Sequence, residues 1–72
     1  MADSSKVTRV DGIVEEALPG LLFRVKTDEG KEVLAHPAGR LKIHHIRVIP
    51  GDRVTLEMAN IEDRRGRIVR RL

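Results

Sequence analysis

Apolar and polar residues alternate in short stretches along most of this chain. A period of two is typical of strands that bury one face and expose the other. In the first stretch Val10, Gly12 and Val14 share one face, with charged residues between them. The same alternation recurs downstream, so the pattern predicts five short strands, over Lys6–Glu16, Leu21–Lys26, Glu32–His36, Arg53–Met58 and Arg67–Arg71.

Turn-forming residues separate these stretches. Pro19-Gly20 and Pro50-Gly51 match the two central positions of a type II turn, where glycine supplies the positive φ. The loop Thr27–Lys31 carries a glycine near its end, as expected of a hairpin connection. Pro37 ends the third strand because proline cannot donate to a ladder, and Gly12 suits a sharp bend within the first.

One connection is much longer than the others. It is Gly39–Val54, and one or two helical turns over Ala38–Ile43 are predicted at its start. Only Asp52 opposes its four cations, which are Arg40, Lys42, Arg47 and Arg53. Long connections in compact domains are often functional, although a solvated loop that happens to be basic fits the stretch equally well when taken alone.

Five strands with turns every 8–12 residues and a long connection after the third favour a small all-β barrel. The five-stranded Greek-key oligonucleotide-binding (OB) fold matches the strand count and the place of the long crossover. A barrel of the SH3 type has similar length and stays open as an alternative. At 72 residues we expect one domain over residues 6–72, after a mobile tail at 1–5.

The charge is divided unevenly between the two halves. Residues 1–36 hold five Lys/Arg and seven Asp/Glu, whereas residues 37–72 hold nine Lys/Arg, eight of them Arg, and four Asp/Glu. Such asymmetry indicates a polyanionic partner. Arginine's donor fork suits phosphate and base edges, so RNA or DNA is favoured over a membrane surface. With no apolar run of membrane-spanning length and no cysteine, we expect a soluble cytoplasmic protein, monomeric when free.

The candidate catalytic and metal-binding residues do not form a recognisable set. Glu15 and Glu16 are adjacent, so on a strand they are expected to point to opposite faces. His36, His44 and His45 lack the spacing and the further ligands that zinc requires. We therefore predict no enzyme activity, no metal and no cofactor.

If the protein binds nucleic acid, we do not expect it to stack bases on aromatic side chains. Phe23 is the only aromatic residue, and its phase places it in the core. Affinity would then come from phosphate charge, arginine planes and shape, which suit a folded RNA. The basic segments Arg40–Arg53 and Arg64–Arg71 would form one patch if the fifth strand lies near the crossover; a generally basic surface without a defined epitope is the alternative.

Three pieces of the chain together resemble the bacterial translation initiation factor 1 family over nearly the whole length. They are VEEALPGLLFRV (Val14–Val25), AHPAGRLKIHHIRVIPGDRVTLE (Ala35–Glu57) and RRGRIVRR (Arg64–Arg71). The family has counterparts in the same order and at the same spacing: a Leu-Pro turn before Phe-Arg-Val, then Ala-His, Ser-Gly-Lys, Ile-Arg-Ile and a terminal Gly-Arg-Ile-Val.

The resemblance implies a single OB-fold domain that binds the decoding (A) site of the small (30S) ribosomal subunit. It would contact 16S ribosomal RNA and a neighbouring ribosomal protein, block premature tRNA entry and stabilise binding of the other two initiation factors. By position, the basic residues that look like RNA contacts are Arg40, Lys42, Arg47, Arg65 and Arg67, together with the turn Leu18-Pro19-Gly20. His45 and Arg71 complete the candidate RNA-binding set.

The sequence departs from the family at several contact positions. Ala38 replaces the usual Ser, His45 the usual Tyr before Ile-Arg-Ile, and Arg70 the usual aromatic of the last strand, while Ala59–Glu62 replaces Thr-Pro-Tyr-Asp. Histidine and arginine can still stack or donate. A general RNA-binding or RNA-melting module without a ribosomal site, or docking of Arg64–Arg71 on an acidic protein, are the alternatives.

Overall fold

The five predicted strands and the short helix are all present. The structure, a computed structural model, describes residues 8–43, 47–60 and 62–72, apart from the side chain of Arg40. The predicted tail at 1–5 and the pair His44-His45 lie outside the described residues. In chain order the elements are β1 (Thr8–Leu18), β2 (Leu22–Thr27), β3 (Glu32–Pro37), α1 (Gly39–Ile43), β4 (Arg53–Met58) and β5 (Arg65–Arg71).

The strands close into a barrel in the order β1-β2-β3-β5-β4. β3 and β5 run parallel, and the other neighbouring pairs of described strands are antiparallel. A parallel pair needs a crossover, and here α1 and β4 lie between its two strands in the chain. This is the arrangement of the five-stranded OB barrel, so the predicted fold is confirmed.

The period-two positions fill the interior of the barrel. Leu56, Ile68 and Val25 are fully buried there, and α1 adds Leu41 at 3% exposure. The core cluster holds residues of every strand and of the helix: Val14, Phe23, Val25, Val33, Ala35, Leu41, Val54, Leu56, Met58 and Ile68. The predicted placement of Phe23 in the core is confirmed, at 8% exposure.

β1 pairs with two different strands, and the change from one partner to the other occurs at Gly12. It pairs with β4 over Thr8–Ile13 and with β2 over Gly12–Leu18. A Cβ on Gly12 would lie 2.6 Å from the carbonyl oxygen of Lys26. Glycine is therefore required here by the close approach of two strands, at the corner where the sequence predicted a bend.

The prediction that Glu15 and Glu16 point to opposite faces is wrong. The register of β1 against β2 shifts between Val14 and Glu16, so Glu15 occupies a bulge. Oε1 of Glu15 lies 3.7 Å from Nε of Arg24. Oε1 of Glu16 lies 2.6 Å from Nη2 of the same arginine. The extra residue breaks the period of two and lets both carboxylates reach the same guanidinium.

The predicted Pro-Gly turn between β1 and β2 is confirmed, but it is one residue longer than expected. Gly20 has φ 80° and Leu21 has φ 56°. Leu21, predicted as the first residue of the second strand, is instead 59% exposed in the turn, and β2 begins at Leu22. A left-handed residue cannot continue a ladder, which explains the difference.

The remaining connections agree with the sequence. Gly30, at φ 87°, completes the β2–β3 hairpin, where its amide donates to the carbonyl of Thr27 at 2.8 Å. In the second Pro-Gly turn Asp52 donates its amide to the carbonyl of Ile49, and the amide of Ile49 donates to the Asp52 side chain, each at 3.1 Å. β5 begins at Arg65, two residues earlier than predicted.

Candidate nucleic-acid interface

The two basic segments of the second half meet at a hydrogen bond. Nη1 of Arg71, at the end of β5, donates to the carbonyl oxygen of Arg47 at 3.0 Å. The amide of Leu72 also donates to the carbonyl of Arg53 at 2.8 Å. The crossover and the end of β5 therefore share one side of the barrel, as expected if the two basic segments form a single patch.

An open groove of about 430 Å³ lies beside Arg47. Its wall is mainly apolar, and Leu21 and Ile49 stand 59% and 56% exposed beside it. Lys42 and Arg47 are the cations along it, and both are exposed. The described lining residues are Leu21, Phe23, Pro37, Leu41, Lys42, Arg47, Val48 and Ile49.

The predicted RNA-binding turn Leu18-Pro19-Gly20 does not itself line the described groove, but Leu21, which follows it, does. Pro19 and Gly20 are exposed, and Leu18 is half-buried at the end of β1. Leu21, the last residue of the turn, lines the groove together with Lys42 and Arg47. Three stretches that are distant in the chain thus present cations, apolar side chains and a stiff turn at one place. Such a surface can hold phosphates along its edge while apolar groups exclude water.

The outcome for the other predicted contacts is mixed. Arg40 belongs to α1 by its backbone, but its side chain lies outside the described residues, as does all of His45. Arg65 and Arg67 are exposed on β5, and neither lines the described part of the groove. The structure therefore brings Lys42, Arg47, Arg71 and the turn together and leaves Arg65 and Arg67 on a different part of β5.

Arg67 is engaged by a carboxylate that the sequence did not single out. Its Nη2 lies 2.7 Å from Oε1 of Glu57, while Nη2 and Nε of Arg9 donate to Oε2 at 2.9 and 3.1 Å. The Glu57 side chain is only 13% exposed. The hydrogen bond from Arg67, followed by that from Arg9, holds the pKa of Glu57 below its ordinary value of 4.5.

Two further arginines also form ion pairs. Arg53 is paired with Asp28 at 3.1 Å, and Arg24 with Glu16 at 2.6 Å. Within the described part of the chain, Lys42, Arg47 and Arg71 have no carboxylate within ion-pair distance. Their charge is available to an anionic ligand.

Arg9 and Glu57 are the residues that sequence reasoning missed. Arg9 lies in the acidic half of the chain, and 48 residues separate it from Glu57. Only the register of β1 against β4, which sets Arg9 opposite Glu57, brings the two together. Neither residue has a local motif that could have marked it.

The structure adds two findings on metals and membranes. The described residues contain no group of three or more His, Cys, Asp or Glu side chains that could hold a metal ion. Among the same residues no helix is long and apolar enough to cross a bilayer.

Known proteins were compared with the chain at the levels of sequence and fold. The family "Translation initiation factor 1A / IF-1" matches residues 2–72. The solution structure of translation initiation factor 1 from the Wolbachia endosymbiont strain TRS of Brugia malayi is 41% identical, with a TM-score of 0.76 over 97% of this chain and 84% of that one. The crystal structure of YjeQ from Thermotoga maritima matches at a TM-score of 0.72 and 24% identity over 90% of this chain and 23% of that one, which shows the fold alone.

The family match and the resemblance of the quoted motifs agree in extent. The match covers all five strands and the helix, and the 41% identity to the Wolbachia protein extends over the same length. The identification made from the motifs is confirmed: this chain belongs to the translation initiation factor 1A / IF-1 family.

Proposed function

We propose that this protein acts in translation initiation by occupying the decoding (A) site of the small (30S) ribosomal subunit. It binds 16S ribosomal RNA there, next to a ribosomal protein, blocks premature entry of tRNA and stabilises binding of the other two initiation factors. It acts by occupancy and not by catalysis. Family membership supports the role in initiation, and the geometry of the groove supports the mode of binding.

The observation that carries the proposal is the convergence at the groove. Lys42 and Arg47 stand beside it without a described carboxylate partner, and the bond from Arg71 to Arg47 brings the end of β5 to the same side. Cations gathered on one side can neutralise several phosphates of one RNA at once and release their counterions.

The composition of the groove favours structured RNA over a flexible single strand. Single strands are usually held by bases stacked on exposed aromatic rings. Phe23, the only aromatic residue, is 8% exposed and packs in the core. Affinity must therefore come from charge and shape, which a preformed RNA surface provides.

The turn Leu18–Leu21 is the part of this surface that we expect to fit the shape of the RNA. The ring of Pro19 fixes the φ angle at the start of the turn, which lowers the conformational entropy lost when this part of the turn is placed against RNA. Pro19 is exposed, and the exposed Leu21 presents apolar surface in the groove that Lys42 and Arg47 line. We propose that this turn enters a groove of the ribosomal RNA.

Co-sedimentation with purified small ribosomal subunits over a range of salt tests the proposal. Wild-type affinity should fall steeply with salt. Arg47→Ala and Lys42→Ala should each weaken binding and lower the salt slope by about one. Lys26→Ala is the matched control, since Lys26 is exposed on β2 and does not line the described groove. Salt-insensitive binding, or wild-type binding by the Lys42/Arg47 double variant, would contradict the assignment.

Footprinting on 16S ribosomal RNA identifies the binding position. Protection confined to the decoding region, and strengthened by the other two initiation factors, is the expected result. Diffuse protection that any RNA competes away would instead indicate a general RNA-binding module. A complex that survives nuclease treatment would indicate docking on protein.

A further inference from the structure

A polar depression lies on the outer face of the barrel, and none of its lining residues lines the groove. It has a volume of about 240 Å³ and is lined by Arg9, Thr55, Glu57, Val69 and Arg70. These residues come from β1, β4 and β5, and the register places Thr55 opposite Arg70 and Glu57 opposite Arg67. We refer to it as the β1–β4–β5 depression. Neither its lining nor Arg67 is shared with the groove.

Glu57 is the centre of this surface and uses both of its oxygens. Oε2 accepts two hydrogen bonds from Arg9, and Oε1 accepts one from Arg67. The Glu57 side chain is 13% exposed, whereas the side chains of Arg9 and Arg67 are 68% and 52% exposed. The acid is therefore largely covered, while both arginines that bind it remain more than half exposed.

The arginines retain the capacity to bind an anion. A guanidinium has five N–H donors, and the bonds to Glu57 use two N–H-bearing nitrogens of Arg9 and one of Arg67. Arg70 is exposed and has no described carboxylate partner. Among the described residues, Asp11 is a further acid near this face, and it accepts a hydrogen bond from Thr55 at 2.8 Å. Three arginines against two carboxylates leave a net positive charge.

We propose that the β1–β4–β5 depression is a second phosphate-binding site for the RNA backbone, an inference that deepens the proposed RNA-binding function and rests on it. Arg9 and Arg70 contact phosphate beside Arg67, which the family resemblance already implies as an RNA contact. Glu57 is a positioning residue: it holds two guanidinium groups at a fixed spacing, so that they lose less conformational freedom when a phosphate binds. RNA held in the groove would then be contacted on a second face of the barrel.

If Glu57 positions the arginines, its substitution should change RNA affinity in the direction opposite to that expected from net charge alone. Removing a negative charge from a nucleic-acid-binding surface ordinarily tightens binding. If Glu57 positions the arginines, Glu57→Gln should weaken binding although it makes the protein more basic. Glu29→Gln is the matched control, because it makes the same change of charge at an exposed residue of the β2–β3 hairpin.

The probe is a short blunt-ended RNA duplex, with binding followed by fluorescence anisotropy over a range of salt. Arg9→Ala and Arg70→Ala should each weaken binding roughly tenfold, as expected for one lost charge-assisted hydrogen bond, and lower the salt slope by about one. Glu57→Gln should weaken binding severalfold, whereas Glu29→Gln should leave it unchanged or slightly tighter. Wild-type binding by both alanine variants, or tighter binding by Glu57→Gln, would overturn the inference.

Urea denaturation of each variant checks that it is folded. Arg70→Ala removes no described ion pair, so it tests the site even if the Glu57 variant fails to fold. Repeating the measurement with purified small ribosomal subunits separates the two proposals. Subunit binding that depends on Arg47 but not on Arg9 or Arg70 would overturn the second site alone. Duplex binding that depends on Arg9 and Arg70, without subunit binding by the wild type, would support the second site and contradict the proposed function.

Discussion

Gly12 is the residue at which the barrel turns its first corner, and the space around it is closed. A Cβ would lie 2.6 Å from the Lys26 carbonyl oxygen and 2.9 Å from Cγ1 of Val25. Both are held by the β1–β2 ladder and the core, so neither can move aside without disturbing its neighbours.

We therefore expect Gly12→Ala to destabilise the domain by about 1–3 kcal/mol, the usual cost of overpacking. Gly39→Ala is the control, since a Cβ there meets nothing within 4 Å and alanine favours the helix. It should be neutral or stabilising by up to about 1 kcal/mol. Urea denaturation at neutral pH measures both. Equal stability of the two variants would contradict the close approach.

Glu57 makes part of the stability depend on pH. Its pKa in the folded state lies below 4.5 because Arg67 and Arg9 donate hydrogen bonds to the charged form. Above the ordinary pKa the ion pairs contribute fully. The contribution is lost as the pH falls through the lowered pKa of the folded state, because the unfolded chain takes up its proton first.

Glu57→Gln should therefore show a smaller loss of stability between neutral pH and about pH 3 than the wild type. The measurement is the urea midpoint at each pH. Glu29→Gln removes an exposed carboxylate that takes part in none of the described ion pairs, and it should keep the acid sensitivity of the wild type. The same acid dependence in the Glu57 variant would show that the pairs with Arg9 and Arg67 add nothing in solution.

At the scale of elements, the β1–β2 turn combines local strain with an exposed position. A non-glycine residue in the left-handed region costs about 1–2 kcal/mol, and Leu21 has φ 56°. Its side chain is 59% exposed, so burial recovers only part of that cost. This turn is nevertheless the one that reaches the groove, and strain kept at such a place is typical of functional sites.

Leu21→Gly separates the two contributions. Relief of the strain and loss of the half-exposed side chain oppose each other, so stability should change by less than about 1 kcal/mol. Binding to small ribosomal subunits should weaken, because the turn loses an apolar contact and becomes less rigid. Urea denaturation measures the change in stability, and co-sedimentation measures the change in subunit binding. Unchanged subunit binding would remove Leu21 from the proposed interface.

At the scale of the whole molecule, stability depends on the closure of a small core. A chain of 72 residues is expected to have a free energy of unfolding of about 4–11 kcal/mol. Leu56 and Ile68 face each other across β4 and β5 and are both fully buried. These two strands close the ring, because β4 also pairs with β1 and β5 also pairs with β3.

Leu56→Ala should cost about 2–5 kcal/mol, a large fraction of the total. Ile43→Ala is the matched control: Ile43 is 74% exposed, and its truncation should change stability by less than about 0.5 kcal/mol. Thermal and urea denaturation measure both variants. A small effect at Leu56 would mean that closure by β4 and β5 contributes little to the stability of the barrel.

Residues close together in the chain specify most of the strands, the turns and the core. The alternation over Arg53–Met58 predicts a strand because it allows one face to be buried. The Pro-Gly pairs predict turns because their backbone sterics are local. Neighbouring residues are enough to specify both. The same local reasoning failed at Glu15 and Leu21. A bulge and a left-handed residue change the count of residues on a face, and no residue type marks either position.

Which distant residues meet depends on the closure of the barrel. The parallel pairing of β3 with β5 and the register of β1 against β4 placed Arg71 on Arg47 and gathered Arg9 and Arg67 around Glu57. Such contacts depend on ring closure across tens of residues, and charge patterns along the chain carry no information about it. Sequence could therefore identify a basic half and a family, whereas the groove and the β1–β4–β5 depression required the closed barrel.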